Sequence, residues 1–355
     1  MPKSNRQSSK NQGPVGKHYR LKKALVFFFS LILGVSAAAG FMAYDFYQYA
    51  HLPAQKVART AVIDIQPGQT FKATAADLQH KGVIIHPLKF AILARISGLD
   101  KKIKSGEYNL SSAMSPLEVL QKIASGKVRL YRLTVPEGLT TPQIAATVEN
   151  SGLAKQSEFM HASKAKQLMQ QLNVSAMSLE GYLFPDTYYF PKGATAQDII
   201  SAMVRRFQKV FTLDWEKRAQ QLGLSIHETV TLASIIEKET GAASERSLIS
   251  SVFHNRLKRN MRLETDPTVI YGLENFDGNL TRKHLRTPTP YNTYIIRGLP
   301  PGPICNPGAK AIEAALYPAD TEFLFFVSKK DTTHAFSKTL KEHNRAVRKY
   351  QLNKR

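Results

Sequence analysis

A chain of 355 residues with 43% apolar content is long enough for two or more domains and a sizeable core. Its formal net charge of +22, from 49 Lys and Arg against 27 Asp and Glu, calls for an anionic partner such as lipid headgroups or an acidic cell-wall polymer. Nucleic acid is the weaker choice, for the chain has no zinc-ligand cluster, aromatic RNA-binding signature or basic recognition helix, and the lone Cys305 permits neither an intramolecular disulfide nor a cysteine metal site.

Lys3, Arg6, Lys10, Lys17, Arg20, Lys22 and Lys23 precede residue 24 with no acid among them, so 1–23 reads as a disordered basic tail. Residues 24–44 then run without a charge, about the length of a bilayer core. Ser36, Ala37, Ala38 and Ala39 would also suit a cleavable signal peptide. The length of the run and its far border of Phe41, Tyr44, Phe46, Tyr47 and Tyr49 favour a retained anchor. The positive-inside rule then holds the tail in the cytoplasm and puts the rest outside, in the periplasm or its equivalent.

Beyond the anchor, short strand-turn-helix units are expected. Residues 62–65 read as a strand, Gln66-Pro67-Gly68-Gln69 as a turn and 73–80 as a helix, and a similar unit returns at 133–150. Between them lie an apolar helix at 88–96, a strand at 106–110 and a helix over 117–124 opened by Ser115-Pro116. Such units can bind glycan or dock onto a neighbour.

A helix is expected over 156–172, followed by Leu179-Glu180-Gly181-Tyr182-Leu183-Phe184-Pro185-Asp186-Thr187-Tyr188-Tyr189-Phe190, whose Gly and Pro break any single regular element. Rings beside carboxylates suit a sugar cleft, and equally a packed core. Helices are expected at 196–211, 214–222 and 244–259. The central stretch is 230–246: Leu232, Ile235 and Ile236 recur at helical spacing, and continuing that register lands on Glu239. Glu237 lies about 200° away around the same helix. A glutamate drawn out of water keeps its proton nearer neutrality and can act as a general acid. The pattern equally allows Glu239 to close the stripe half exposed, paired with Arg246 or Lys238.

Residues 261–303 are rich in Pro, Gly and Asn and read as a long ordered loop around a short helix from Thr268, which Asp266 could cap. A strand at 323–327, the segment His334-Ala335-Phe336 and a basic helix over 338–350 close the chain. His227, His254 and His284 lack zinc spacing, and no phosphate-binding glycine loop occurs.

Four stretches together resemble the endolytic murein transglycosylases of the MltG or YceG-like family: Ala233-Ser234-Ile235-Ile236-Glu237-Lys238-Glu239-Thr240, the run from Arg262 through Glu264-Thr265-Asp266-Pro267 to Gly272, Tyr291-Asn292-Thr293-Tyr294 with Gly298-Leu299-Pro300-Pro301-Gly302, and Glu180-Gly181-Tyr182-Leu183-Phe184-Pro185-Asp186-Thr187. The resemblance implies that Glu239 is the catalytic acid and that the β-1,4 bond between N-acetylmuramic acid and N-acetylglucosamine is cut inside a strand to leave a 1,6-anhydro end. It implies no metal and no organic cofactor. Tyr291, Asn292 and Tyr294 are candidates for holding sugar rings and acetamido groups, with Glu180, Tyr182 and Asp266 as weaker substrate-binding candidates. Lysozyme-like hydrolysis would need a second carboxylate, for which Asp186, Glu264 and Asp266 are available. A non-catalytic glycan-binding scaffold in the periplasm is the alternative from another class. The expected architecture is α+β: cytoplasmic tail 1–23, transmembrane helix 24–44, a LysM-like membrane-proximal domain 45–150 and a catalytic domain 151–355. Its expected partners are peptidoglycan strands, the inner membrane and, close by, peptidoglycan synthases.

Overall fold

Helix α1, Val15–His51, opens the computed structural model, which describes residues 15–352 apart from Lys56, Leu172, Asn173 and Ser175. Most of the expected basic tail, 1–14, lies outside the described residues. Within α1, Arg20–His51 is long and apolar enough to cross a membrane, and none of its most apolar window is buried among the described residues. The helix continues past the uncharged run, so that Ala50 is buried and Phe46 and Tyr49 pack against a globular core.

Two compact units follow the chain, one ending at Arg129 and one beginning at Leu130. In the first, β1 (Thr60–Ile65) is followed by α2 (Phe71–His80), α3 (Pro87–Ile96), β2 (Gly106–Ser111) and α4 (Pro116–Ser125). β1 and β2 pair antiparallel, with Ile63 opposite Tyr108. Alternation sends Ile63, Ile65, Tyr108 and Leu110 inward against Leu78, Phe90, Leu120 and Ile123. Local signals set the ends: Thr70 caps α2, and Ser115 and Glu118 form a capping box on α4 with Pro116 in its first turn. α3 is tied to the end of α1, Lys89 pairing with Asp45 at 2.6 Å and the Tyr49 hydroxyl donating to the His86 carbonyl at 2.9 Å.

The second unit runs β3 (Leu130–Thr134), α5 (Thr141–Asn150), α6 (Gln156–Ser163), α7 (Lys166–Gln171), β4 (Thr187–Pro191), α8 (Ala196–Val210) and α9 (Leu213–Gln221). It continues with α10 (Ile226–Glu239), a 3-10 turn Ala243–Glu245, α11 (Arg246–Lys258), α12 (Asp266–Tyr271) and α13 (Ala309–Leu316). The hairpin β5 (Phe325–Ser328) and β6 (His334–Ser337), then α14 (Leu340–Val347) and a π-helical turn Arg348–Leu352, end the described fold. The overall class is α+β, with three separate two-stranded antiparallel sheets among the described residues.

Two expectations change. Residues 130–150 belong with the second unit rather than the first, because β3 finds its partner in β4, Leu133 opposite Tyr188. The single helix expected over 156–172 is two, α6 stopping where the Ser163 hydroxyl turns back onto the Met160 carbonyl at 2.9 Å; its last residue, 172, is outside the described set. The central helix and the helix expected from 244 are separate elements, since α10 ends at Glu239 and the chain turns before α11.

α10 is the axis of the second unit. Thr229 to Ile236 are all buried, so the helix is covered on every side, chiefly by α13 with α9, α11 and α12 around it. Part of its cover is irregular chain: residues 302–308 are buried without regular structure. Such a segment must find partners for its backbone. Ser234 Oγ accepts from the Ile304 N–H at 3.0 Å, Glu237 accepts from the Gly308 N–H at 3.1 Å, and the Asn306 backbone bonds both Gly138 and Leu139 at 2.9 Å. Glu237 therefore has a structural task on the face pointing away from Glu239.

Candidate active site

Glu239 is the last residue of α10, where the helix leaves the core. The residue is half-buried, and its Oε1 accepts a short hydrogen bond from the Thr265 hydroxyl. Burial is the largest influence on its carboxyl and raises its pKa above the ordinary carboxylate value. The nearby Asp266 charge raises it further, while the Thr265 bond and the His334 imidazole pull it down. Neither Arg246 nor Lys238 pairs with it among the described ion pairs; the Lys238 ammonium instead reaches the Gly138 carbonyl at 3.4 Å.

The surroundings of Glu239 come from three later segments. Thr265 is the N-cap of α12 and Asp266 its first residue, so Asp266 does not take the capping role expected of it. Thr293 fastens the Tyr291-Asn292-Thr293-Tyr294 turn to this point: its hydroxyl accepts from the Thr265 N–H at 3.1 Å and lies 2.8 Å from the Thr268 hydroxyl. The Tyr294 hydroxyl then donates to Asp266 at 2.7 Å. Buried Arg256 sets the approach, its guanidinium donating to the carbonyls of Arg262, Leu263 and Leu324 and pairing with Glu264 at 3.0 Å.

The third segment is the β5–β6 hairpin. Glu245, in the 3-10 turn after α10, accepts from the His334 backbone N–H at 3.0 and 3.1 Å and lies 2.8 Å from His334 Nδ1. With a carboxylate as partner, Nδ1 is the donor. The turn of the hairpin packs so closely on Gly241 that a Cβ there would stand 2.5 Å from the Thr332 carbonyl oxygen.

Of the sequence-predicted residues, Glu239, Asp266 and Tyr294 are thus brought together. Glu180 and Tyr291 form a second, interior group. Glu180 is 4% exposed and accepts from the Thr141 N–H at 3.0 and 3.1 Å, the Asn306 amide at 2.8 Å and the Tyr271 hydroxyl at 3.3 Å. Burial outweighs these donors and pushes its pKa up to about 7. The Tyr271 and Tyr291 rings meet with centroids 4.8 Å apart. Tyr182 is buried beside His227, its hydroxyl 3.0 Å from Nδ1. His227 stands at the other end of α10, about 18 Å along the axis from Glu239.

Asn292 is fully buried, and its amide is spent on its own loop, donating to the carbonyls of His284, Leu285 and Thr287 and accepting from the Tyr294 N–H. It shapes the loop that carries Tyr294 instead of facing a sugar. Asp186 pairs with Arg206 at 2.6 Å. Thr265, Thr293, Arg256, Glu245 and His334 were not singled out from the sequence; Thr265 and Thr293 lie inside quoted motifs and His334 in a quoted segment, but all act through contacts no local pattern announces.

A desolvated carboxyl at a helix end, with a hydroxyl donor on one oxygen and the Asp266 carboxylate and His334 imidazole nearby, is an arrangement suited to acid–base work. Among the described residues no group of three or more His, Cys, Asp or Glu is gathered as a metal site would need. Comparison with known proteins narrows the class. The family model described as "YceG-like family" matches residues 63–349, and the chain belongs to that family. It is 34% identical over 315 residues to a Bacillus subtilis protein named endolytic murein transglycosylase, covering 84% of this chain and 87% of that one. A protein of the same name from Streptococcus pneumoniae R6 is 29% identical over 360 residues, covering 92% of this chain and 65% of the relative. Among solved structures, a YceG-like protein of Listeria monocytogenes shares 34% identity at a TM-score of 0.56, covering 81% of this chain and 99% of that one.

Proposed function

We propose that the protein is an endolytic murein transglycosylase whose acid and base are the same residue, Glu239. The observation that carries this reading is the raised carboxyl of Glu239, the last residue of α10, held by the Thr265 hydroxyl. In the protonated form Glu239 gives its proton to the glycosidic oxygen as the bond from C1 of N-acetylmuramic acid to that oxygen breaks. The substrate's 2-acetamido group assists at C1. The carboxylate then takes the proton of the C6 hydroxyl while O6 bonds to C1, closing the 1,6-anhydro ring and restoring the acid. No water enters and no second carboxylate is required. The Thr265 hydroxyl suits the second half, because it donates to the charged form.

A hydrolytic reading has one specific support, the Asp266 carboxylate beside Glu239, held by the Tyr294 hydroxyl at 2.7 Å. In the transglycosylase reading the same pair lines the substrate groove, Tyr294 with its ring and Asp266 with its charge. The α1 helix serves as a single-pass anchor in the cytoplasmic membrane, tail inward and both units outward. The length of the apolar stretch and the continuity of a single helix from it into the first unit's core, where Ala50 is buried and Tyr49 packs, support retention. The strand-helix-helix-strand order of that unit supports a small LysM-like, glycan-binding module. A basic exterior suits a polymer bearing carboxylates. The product would be nascent strands of limited length, cut near the membrane and near the synthases.

Mass spectrometry of purified murein treated with the protein, wild type beside Glu239→Gln, tests this. Anhydro-ended fragments from the wild type alone are expected. Reducing ends would turn the assignment to hydrolysis with Asp266, and equal binding without cleavage by either protein would leave a scaffold.

A further inference from the structure

The outward face of α3 carries an apolar stripe that the first unit leaves uncovered. Phe90, Leu93 and Ala94 turn into the core, while Leu88 is 80%, Ile92 51% and Ile96 72% exposed, and Ile85 just before the helix is 50% exposed. At about 100° per residue the three helical side chains fall within a sector of about 80°, with Arg95 on one edge and Lys89 on the other. Lys101, Lys102 and Lys104 follow the helix, all exposed. An apolar strip with basic edges is the design of a helix that lies in a membrane interface, its hydrocarbon side among acyl chains and its cations at anionic headgroups.

The occupant is indicated by what α3 is attached to. His86, the N-cap of α3, bonds Tyr49 of α1, and three residues later Lys89 bonds Asp45, the first charge after the uncharged run. As α3 advances, its partners step back along α1 toward the membrane-crossing stretch, which carries Ile92 and Ile96 in that direction. We propose that α3 is a second membrane contact, docking its Leu88–Ile92–Ile96 stripe into the anionic leaflet from which α1 emerges. The consequence is orientation: with a second lipid contact beside α1, the first unit is held at a set height and tilt over the lipid. The inference rests on the reading of α1 as a bilayer anchor.

The test uses the full chain in nanodiscs containing phosphatidylglycerol, with an environment-sensitive fluorophore on Ile92→Cys, Ile96→Cys or, as the anchor reference, Leu33→Cys. Each substituted side chain is exposed and Cys305 is buried, so the fold is not at risk and labelling is confined to the introduced thiol. Nitroxide-bearing lipid is expected to quench positions 92 and 96 to an extent comparable with position 33, with aqueous iodide ineffective at all three. Lipid quenching at 33 with iodide quenching at 92 and 96 would overturn the docking while leaving the anchor intact. Shielding of 92 and 96 from both quenchers would overturn it in favour of a protein or glycan cover. Failure of lipid to quench position 33 would remove the anchor and the docking together.

Discussion

Replacing Glu180 by Gln should stabilise the protein at neutral and alkaline pH and change it little in acid. The side chain is 4% exposed, and its pKa is raised from 4.5 to about 7, chiefly by burial. A folded value above the unfolded one means that the native state holds the extra proton in between. Stability is therefore greatest below the unfolded pKa and is lost as pH climbs from 4.5 to about 7. At 1.36 kcal/mol per unit the loss amounts to about 3 kcal/mol. Glutamine has no charge to desolvate and keeps a carbonyl for the Asn306 amide and the Thr141 N–H, while the Tyr271 hydroxyl can turn to accept from the new NH2. Urea unfolding of the full chain in detergent, wild type beside variant, at steps between about pH 4.5 and pH 8, reads the difference directly. The two stability curves should diverge by about 3 kcal/mol over that range. Parallel curves would refute the reasoning, for they would mean that no burial cost is lodged on this carboxyl. Wall cleavage should survive the substitution, since Glu180 holds the start of α5 and not a sugar.

Thr265→Val removes a donor that favours the charged form of Glu239, so the alkaline limb of the kcat profile should move to higher pH while the protein still binds murein. His334→Gln removes a group whose charge lowers the Glu239 pKa. It should shift the same limb upward and cost about 1–3 kcal/mol in unfolding experiments through the weakened Glu245 contact; an unmoved pH profile would make His334 structural only. Gly241→Ala drives a Cβ against the backbone of Thr332, and about 1–3 kcal/mol of lost stability together with reduced turnover should follow, measured by melting and by release of soluble murein fragments.

Glu239 was legible in the sequence because helical periodicity is local: three apolar residues fix a register, and the register names the next position on the face. The helix starts were legible for the same reason, as with Ser115-Pro116 before α4, where the capping side chain and its target are three residues apart. What escaped is long-range. The boundary at Leu130 depends on β3 pairing with β4, whose Thr134 and Thr187 hydroxyls meet across 53 residues. Asn292 carries an amide fit for an acetamido group, yet four loop partners use it up, and composition cannot tell a donor that is free from one that is spent. Glu180 has the same history: a carboxylate among aromatics suggests a cleft, but the backbone of Thr141 and the side chain of Asn306 claim it first.

Glu245 and His334 are separated by 89 residues, and their contact fixes the turn that follows Glu239. Contacts within α10 and α11 are close in sequence and can form early, whereas the hairpin that carries His334 is joined to this turn by a long-range contact, of the kind that forms late. Glu239 can thus be in place before its environment is. Completion of the site therefore waits on its most distant partner: a chain that stops short of the hairpin carries Glu239 without the His334 charge that lowers its pKa.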